Sequence, residues 1–82
     1  MAAEFKFQTT AKAAVKALYG RPSDRITTKL VLNNTNGKPA SEVWDIGLHN
    51  NTLGNGSAIY QVVINETKDS RIQIHIQWVA GN

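Results

Sequence analysis

The chain has 82 residues, no cysteine, and a formal net charge of +3. That length suits one domain, residues 1–82, which would bury only about 60% of the surface its unfolded chain exposes and must commit nearly all its large apolar side chains to one core. The absence of cysteine excludes disulfides and thiolate metal sites, and with no signal-peptide pattern and no 18-residue apolar run the chain is expected to be cytoplasmic and not to engage a membrane.

Phe5 and Phe7 alternate with Glu4 and Lys6, which suggests a short extended segment. Thr9 and Thr10 then offer an N-cap hydroxyl, and the alanine-rich stretch behind them predicts a helix over 10–19. Ala11, Ala14, Val15 and Leu18 fall at i, i+3, i+4 and i+7 and form its buried side, with Lys12 and Lys16 opposite. Gly20 is expected to take a left-handed C-terminal position, and Pro22 blocks continuation.

From Ile26 the period changes from 3.6 to 2. Strands are predicted at about 26–32, 42–49, 57–65 and 71–79. The apolar sets are Ile26, Leu30 and Leu32; then Trp44, Ile46 and Leu48; then Tyr60, Val62 and Ile64; then Ile72, Ile74, Ile76 and Trp78. Asn36-Gly37 is the strongest turn signal between the first two strands. The fold class expected is α+β, with one helix packed on one face of a four-stranded antiparallel meander. All inward positions are even-numbered, so pairings whose residue numbers sum to an even value keep both faces consistent. Leu30 opposite Trp44, Trp44 opposite Val62, and Val62 opposite Ile74 satisfy this. The helix would then close the core against Trp44, Tyr60, Ile74 and Trp78, with Ile74 central.

The other face is expected to be open. The same registers align Lys29, Asp45, Gln61 and His75 in one row, with a cross-strand ion pair between Lys29 and Asp45. A neighbouring row holds Val31, Val43, Val63 and Gln73, and Ile59 and Val79 lie on the same face. Adjacent valines make a contiguous apolar spot, which marks an interface more readily than scattered apolar residues do.

No clustered carboxylates or His-x-x-x-His spacing points to a metal, and no cofactor is expected. The two histidines, His49 and His75, fall in different rows and do not form an acid–base pair. Gly54-Asn55-Gly56 precedes a strand rather than a helix, so it reads as a turn and not a phosphate cradle. Four Asn-x-Ser/Thr triplets, at Asn33, Asn50, Asn55 and Asn65, reflect turn composition. The charge is uneven: residues 1–29 carry a balance of +4 and residues 30–82 a balance of −1. Lys12, Lys16, Arg21 and Arg25 therefore form a candidate site for a polyanion or nucleic acid. Against that, every Trp and Tyr falls in the expected buried set, and sheet-type RNA readers need exposed aromatics on which to stack bases.

Helix followed by antiparallel meander is similar to the architecture of cystatin-like proteins. Gln61-Val62-Val63 resembles the start of their inhibitory Gln-x-Val-x-Gly loop. Here Ile64-Asn65 follows, without the glycine of the hairpin tip, and the tripeptide lies mid-strand, so the inhibitory function does not carry over. The reading reached is a non-enzymatic binding or assembly module that uses the open sheet face as a homo-oligomer or with a protein partner. A nucleic-acid binder using the basic helix is the alternative, and a small metal-independent nuclease the third.

Overall fold

The switch from helical to alternating periodicity after Gly20 is matched by the order of elements. Helix α1 (Gln8–Tyr19) is followed by β1 (Arg25–Asn34), β2 (Ser41–Asn50), β3 (Gly56–Glu66) and β4 (Ile72–Gly81). The strands form one antiparallel sheet in the order β1-β2-β3-β4. The computed structural model describes residues 6–34, 41–50 and 56–81, with the backbone alone at 33 and 34. The Asn36-Gly37 turn, most of the loop after Asn50, and Glu4 and Phe5 of the expected extended segment lie outside them; Lys6 and Phe7 of that segment form a bend and the helix N-cap, not a strand.

The helix begins two residues before the expected start, and neither Thr9 nor Thr10 caps it. Phe7 is the N-cap residue and supplies no side-chain cap. The cap comes instead from β2. Glu42, wholly buried, accepts from the Lys6 backbone N–H at 2.6 Å and from the Phe7 N–H at 3.1 Å. It also accepts from Trp44 Nε1 at 2.7 Å. A carboxylate at a helix N-terminus meets both free donors and the positive end of the helix dipole. At the other end Gly20 is extended (φ −80°, ψ 157°), not left-handed, and its N–H bonds to the Lys16 carbonyl. Glycine is needed there for space, since a Cβ would lie 2.8 Å from that same carbonyl oxygen.

The buried stripe of α1 is Phe7, Ala11 and Val15, spaced i, i+4 and i+8. Tyr19 continues it by stacking on Tyr60, with ring centroids 4.4 Å apart. Leu18 was expected inside but falls off this stripe and is 65% exposed. The helix packs chiefly over β1, β2 and β3. Beneath it lie Trp44, Ile46, Leu48, Val62 and Ile64, with Ile26, Leu30, Tyr60 and Ile76 at the margins.

Leu30 opposite Trp44 and Trp44 opposite Val62 are both present. The last pairing differs by two residues: Val62 faces Ile76, and Ile74 faces Ile64. The turn between β3 and β4 sets this register. Ser70 N–H donates to the Thr67 carbonyl, Thr67 N–H donates to the Arg71 carbonyl, and Ser70 takes a left-handed φ of 66°. That is a tight turn closed by one left-handed residue, and it fixes Glu66 opposite Ile72.

Two bulges break the even-number rule. In β1 the register jumps between Leu30 and Leu32, so Val31 is the extra residue and Leu32 faces Val43. Beyond that point parity inverts: Leu32, expected in the core, lies on the open face and is 55% exposed. In β4 the jump skips Val79, and Ala80 faces Ile59. The remaining correction concerns β4 itself. Ile74 and Trp78 keep the expected parity, but Ile72, Ile74 and Trp78 are 40%, 41% and 56% exposed. Among the described residues, one twelve-residue helix lying over three strands leaves the fourth without cover except at half-buried Ile76. Trp78 and Tyr19 also end the expectation that every Trp and Tyr is buried.

Candidate assembly surface

On the open face the row Lys29, Asp45, Gln61 is present, but Gln77, not His75, completes it. The two-residue shift of β4 moves His75 opposite Val63. Lys29 and Asp45 are direct cross-strand neighbours, yet the three ion pairs among the described residues are Lys6–Glu66, Arg21–Asp24 and Asp69–Arg71. The bulge removes Val31 from the valine row and puts Leu32 beside Val43 and Val63; Gln73 falls opposite Asn65. Ile59 faces Gly47 and Ala80. Val43, Val63 and Ile59 are half-buried by flanking strands, and the exposed apolar side chains of this face lie at its margins, Val31 and Leu32 in β1 and Val79 at the β4 bulge. This face carries no Phe, Tyr or Trp among the described residues.

The same face holds a constellation that periodicity did not single out. Gly47 leaves a hollow in which a Cβ would collide with Thr27 Oγ1 and lie 2.6 Å from His49 Nε2. The His49 ring occupies that hollow, with Nε2 2.9 Å from Thr27 Oγ1 and Nδ1 3.0 Å from Ser57 Oγ. A neutral ring donates at one end and accepts at the other, so the imidazole bridges β1, β2 and β3. Serine beside histidine supplies a nucleophile and a base, but the second ring nitrogen meets a hydroxyl rather than a carboxylate and gains no charge support. The signal in the sequence was the glycine two residues before His49 on the same face.

Lys12, Lys16, Arg21 and Arg25 are all exposed. Arg21 is engaged with Asp24, whose Oδ2 accepts the Arg21 backbone N–H at 2.8 Å while Arg21 Nε lies 3.8 Å from Oδ1. Near the helix C-terminus a hollow of about 90 Å³ is lined by Tyr19, Arg21, Asp24, Leu48, Ser57 and Tyr60. Asp24 Oδ1 has no hydrogen-bond partner but is fully covered, so no ligand atom reaches it. Asn50, in one of the Asn-x-Thr triplets, is buried and donates to Ser23 Oγ at 3.4 Å, which disfavours a glycan there. Gln61-Val62-Val63 sits inside β3, as expected. Among the described residues no three His, Asp or Glu side chains are placed to hold a metal ion, and no helix is long and apolar enough to cross a membrane.

Among the described residues, the largest group of exposed apolar side chains on the helix side lies at β4. Ile72, Ile74 and Trp78 project on the helix side beyond the helix, with half-buried Ile76 among them and Trp78 beside Tyr60. β4 is also a free edge of the sheet, and from Ile72 to Gly81 it contains no Lys, Arg, Asp, Glu or Pro. The opposite edge, β1, is defended by Arg25, Lys29 and a central bulge. Charged residues, proline and bulges are the usual means by which sheet edges refuse further strands. β4 has only a bulge at Val79, near its end. No known protein family, curated protein or solved structure matches this chain.

Proposed function

We propose that this chain is a non-enzymatic assembly module that self-associates through β4. The observation that carries the reading is the contrast between the two sheet edges: one charged and bulged, the other uncharged and bordered by exposed Ile72, Ile74 and Trp78. A strand added to β4 would satisfy its outward N–H and C=O groups and cover part of those side chains.

The magnitudes point to a weak dimer. Full burial of such a side chain is worth about 1.5–3 kcal/mol. Val43 and Val63 show that strand neighbours without a lid give half-burial, so the pair of copies gains roughly 2–4 kcal/mol of apolar cover. Seven residue pairs contribute about six to eight backbone hydrogen bonds, at about 0.5–1.5 kcal/mol each. Against the smallest association cost, about 4 kcal/mol, the middle of the two gains leaves at most about 6 kcal/mol, so the tightest dissociation constant expected is tens of micromolar.

Light scattering from about 1 µM to hundreds of micromolar brackets that constant and should show a monomer-to-dimer rise in mass. Ile74→Lys should abolish the rise while thermal unfolding remains cooperative, because the side chain is already 41% exposed in the single chain. A chain that stays monomeric at hundreds of micromolar refutes the reading. A second reading, association through the open face, is favoured by Leu32, which the bulge adds to Val43 and Val63. It predicts that Val63→Lys, and not Ile74→Lys, yields the monomer.

A further inference from the structure

Resting on the proposed self-association, we infer that the second copy adds antiparallel to β4 about a two-fold axis through His75, making one continuous eight-stranded sheet with both helices on the same face. Two-fold pairing of a strand with itself places residue i opposite residue c − i, and cross-strand partners point to the same face. The constant must therefore be even, and one residue lies on the axis. The regular part of β4 runs from Ile72 to Trp78, because the register jump at Val79 ends it. Its midpoint is His75.

The sequence of that segment is nearly a palindrome about the same residue: Ile72-Gln73-Ile74-His75-Ile76-Gln77-Trp78. On the helix side Ile74 would face Ile76 of the second copy, and Ile72 would face Trp78. On the open side Gln73 would face Gln77, and His75 its own counterpart. Apolar meets apolar and amide meets amide at each position off the axis. No charged side chain lies in the segment to oppose a like charge, as would happen if β1 paired with itself through Lys29. Moving the axis by one inward position, to Ile74 or Ile76, pairs Trp78 with Ser70 or extends the contact into the bulge at Val79. The axis at His75 uses the whole regular ladder. Seven residues at about 3.4 Å each make a contact roughly 24 Å long and one sheet thick. That is the low end of specific interfaces, as a concentration-dependent dimer requires.

The absence of cysteine makes the axis directly readable. His75→Cys, exposed and on the open face, places two thiols opposite one another, within or near disulfide reach. Gln73→Cys places its thiols four residues out of step, roughly 14 Å apart. In a glutathione redox buffer at about 10 µM chain, His75→Cys should form covalent dimer on the order of 100-fold more readily than Gln73→Cys, the gain from a millimolar effective concentration. Gln73→Cys mixed with Gln77→Cys should cross-link to a heterodimer. Self-linking of Gln73→Cys, or a non-covalent dimer in which His75→Cys does not link, overturns the register while leaving self-association intact. A wild-type chain that is monomeric at hundreds of micromolar by light scattering removes both.

Discussion

Replacing Glu42 by alanine removes the acceptor of three donors at once. The Lys6 and Phe7 backbone N–H groups and the Trp44 indole N–H all end on its carboxylate, at 2.6, 3.1 and 2.7 Å. Glu42 is 0% and Trp44 2% exposed, so at the Phe7 and Trp44 donors water does not replace the lost acceptor without opening the core. Each buried donor left unsatisfied costs about 1–3 kcal/mol, and the helix loses a capping charge worth about 0.3–1 kcal/mol or somewhat more when buried. A total of about 4–6 kcal/mol is expected, taking the lower half of the donor range because Lys6 is exposed enough to admit water. A domain of this size has roughly 4–12 kcal/mol in all, so Glu42→Ala should unfold at far lower denaturant or fail to fold. Glu42→Gln is the sharper probe. It keeps one carbonyl oxygen but turns an NH₂ towards donors, and should cost about 1.5–3 kcal/mol by losing charge-assisted bonds. Urea unfolding followed by Trp fluorescence measures the free energy, and far-ultraviolet circular dichroism measures the helix. A Glu42→Gln protein within about 0.5 kcal/mol of wild type would refute the assignment of Glu42 as the helix cap, since that is the scatter of inconsequential surface changes.

The core should respond according to helix cover and not strand parity: Ile64→Ala, at a fully buried position, should cost about 2–5 kcal/mol. Ile74→Ala, on the same face and directly opposite, should cost less than half as much when measured on the monomer by urea unfolding, and equal losses would mean that β4 is covered. Gly47→Ala should force the His49 ring out of its hollow and cost about 1–2 kcal/mol in lost hydrogen bonds. Adding His49→Ala should recover part of that loss, so a double mutant that is merely additive would contradict the packing of imidazole on glycine.

Apolar periodicity indicated the helix and the four strands, and even-sum pairing matched the β1–β2 register as far as Leu30 and the β2–β3 register throughout. Side-chain period is a property of the backbone, and a one-residue slip would put every apolar residue of a strand into water. Gly20 and Pro22 marked the helix end, although by a close approach to Lys16 and not by a left-handed turn. The same even-number rule already pointed Glu42 inward, in line with Trp44, Ile46 and Leu48; only its charge disguised it. What makes an inward carboxylate tolerable is a set of donors more than thirty residues away in sequence, and no local pattern reveals that.

The open-face site was legible only in part. Lys29, Asp45 and Gln61 align as their numbers require, but His75 left that row and Val31 left the valine row. A turn of one left-handed residue sets the first shift, and a bulge of one extra residue sets the second. Either changes a register by hydrogen-bond geometry that composition does not encode. The tertiary structure alone decided which strand goes uncovered. Ile74 and Ile64 share face, residue type and direct pairing, yet one is 41% exposed and the other fully buried. The difference is the reach of a single helix across the sheet: sequence period assigns a side chain to a face, whereas burial depends on what lies above that face.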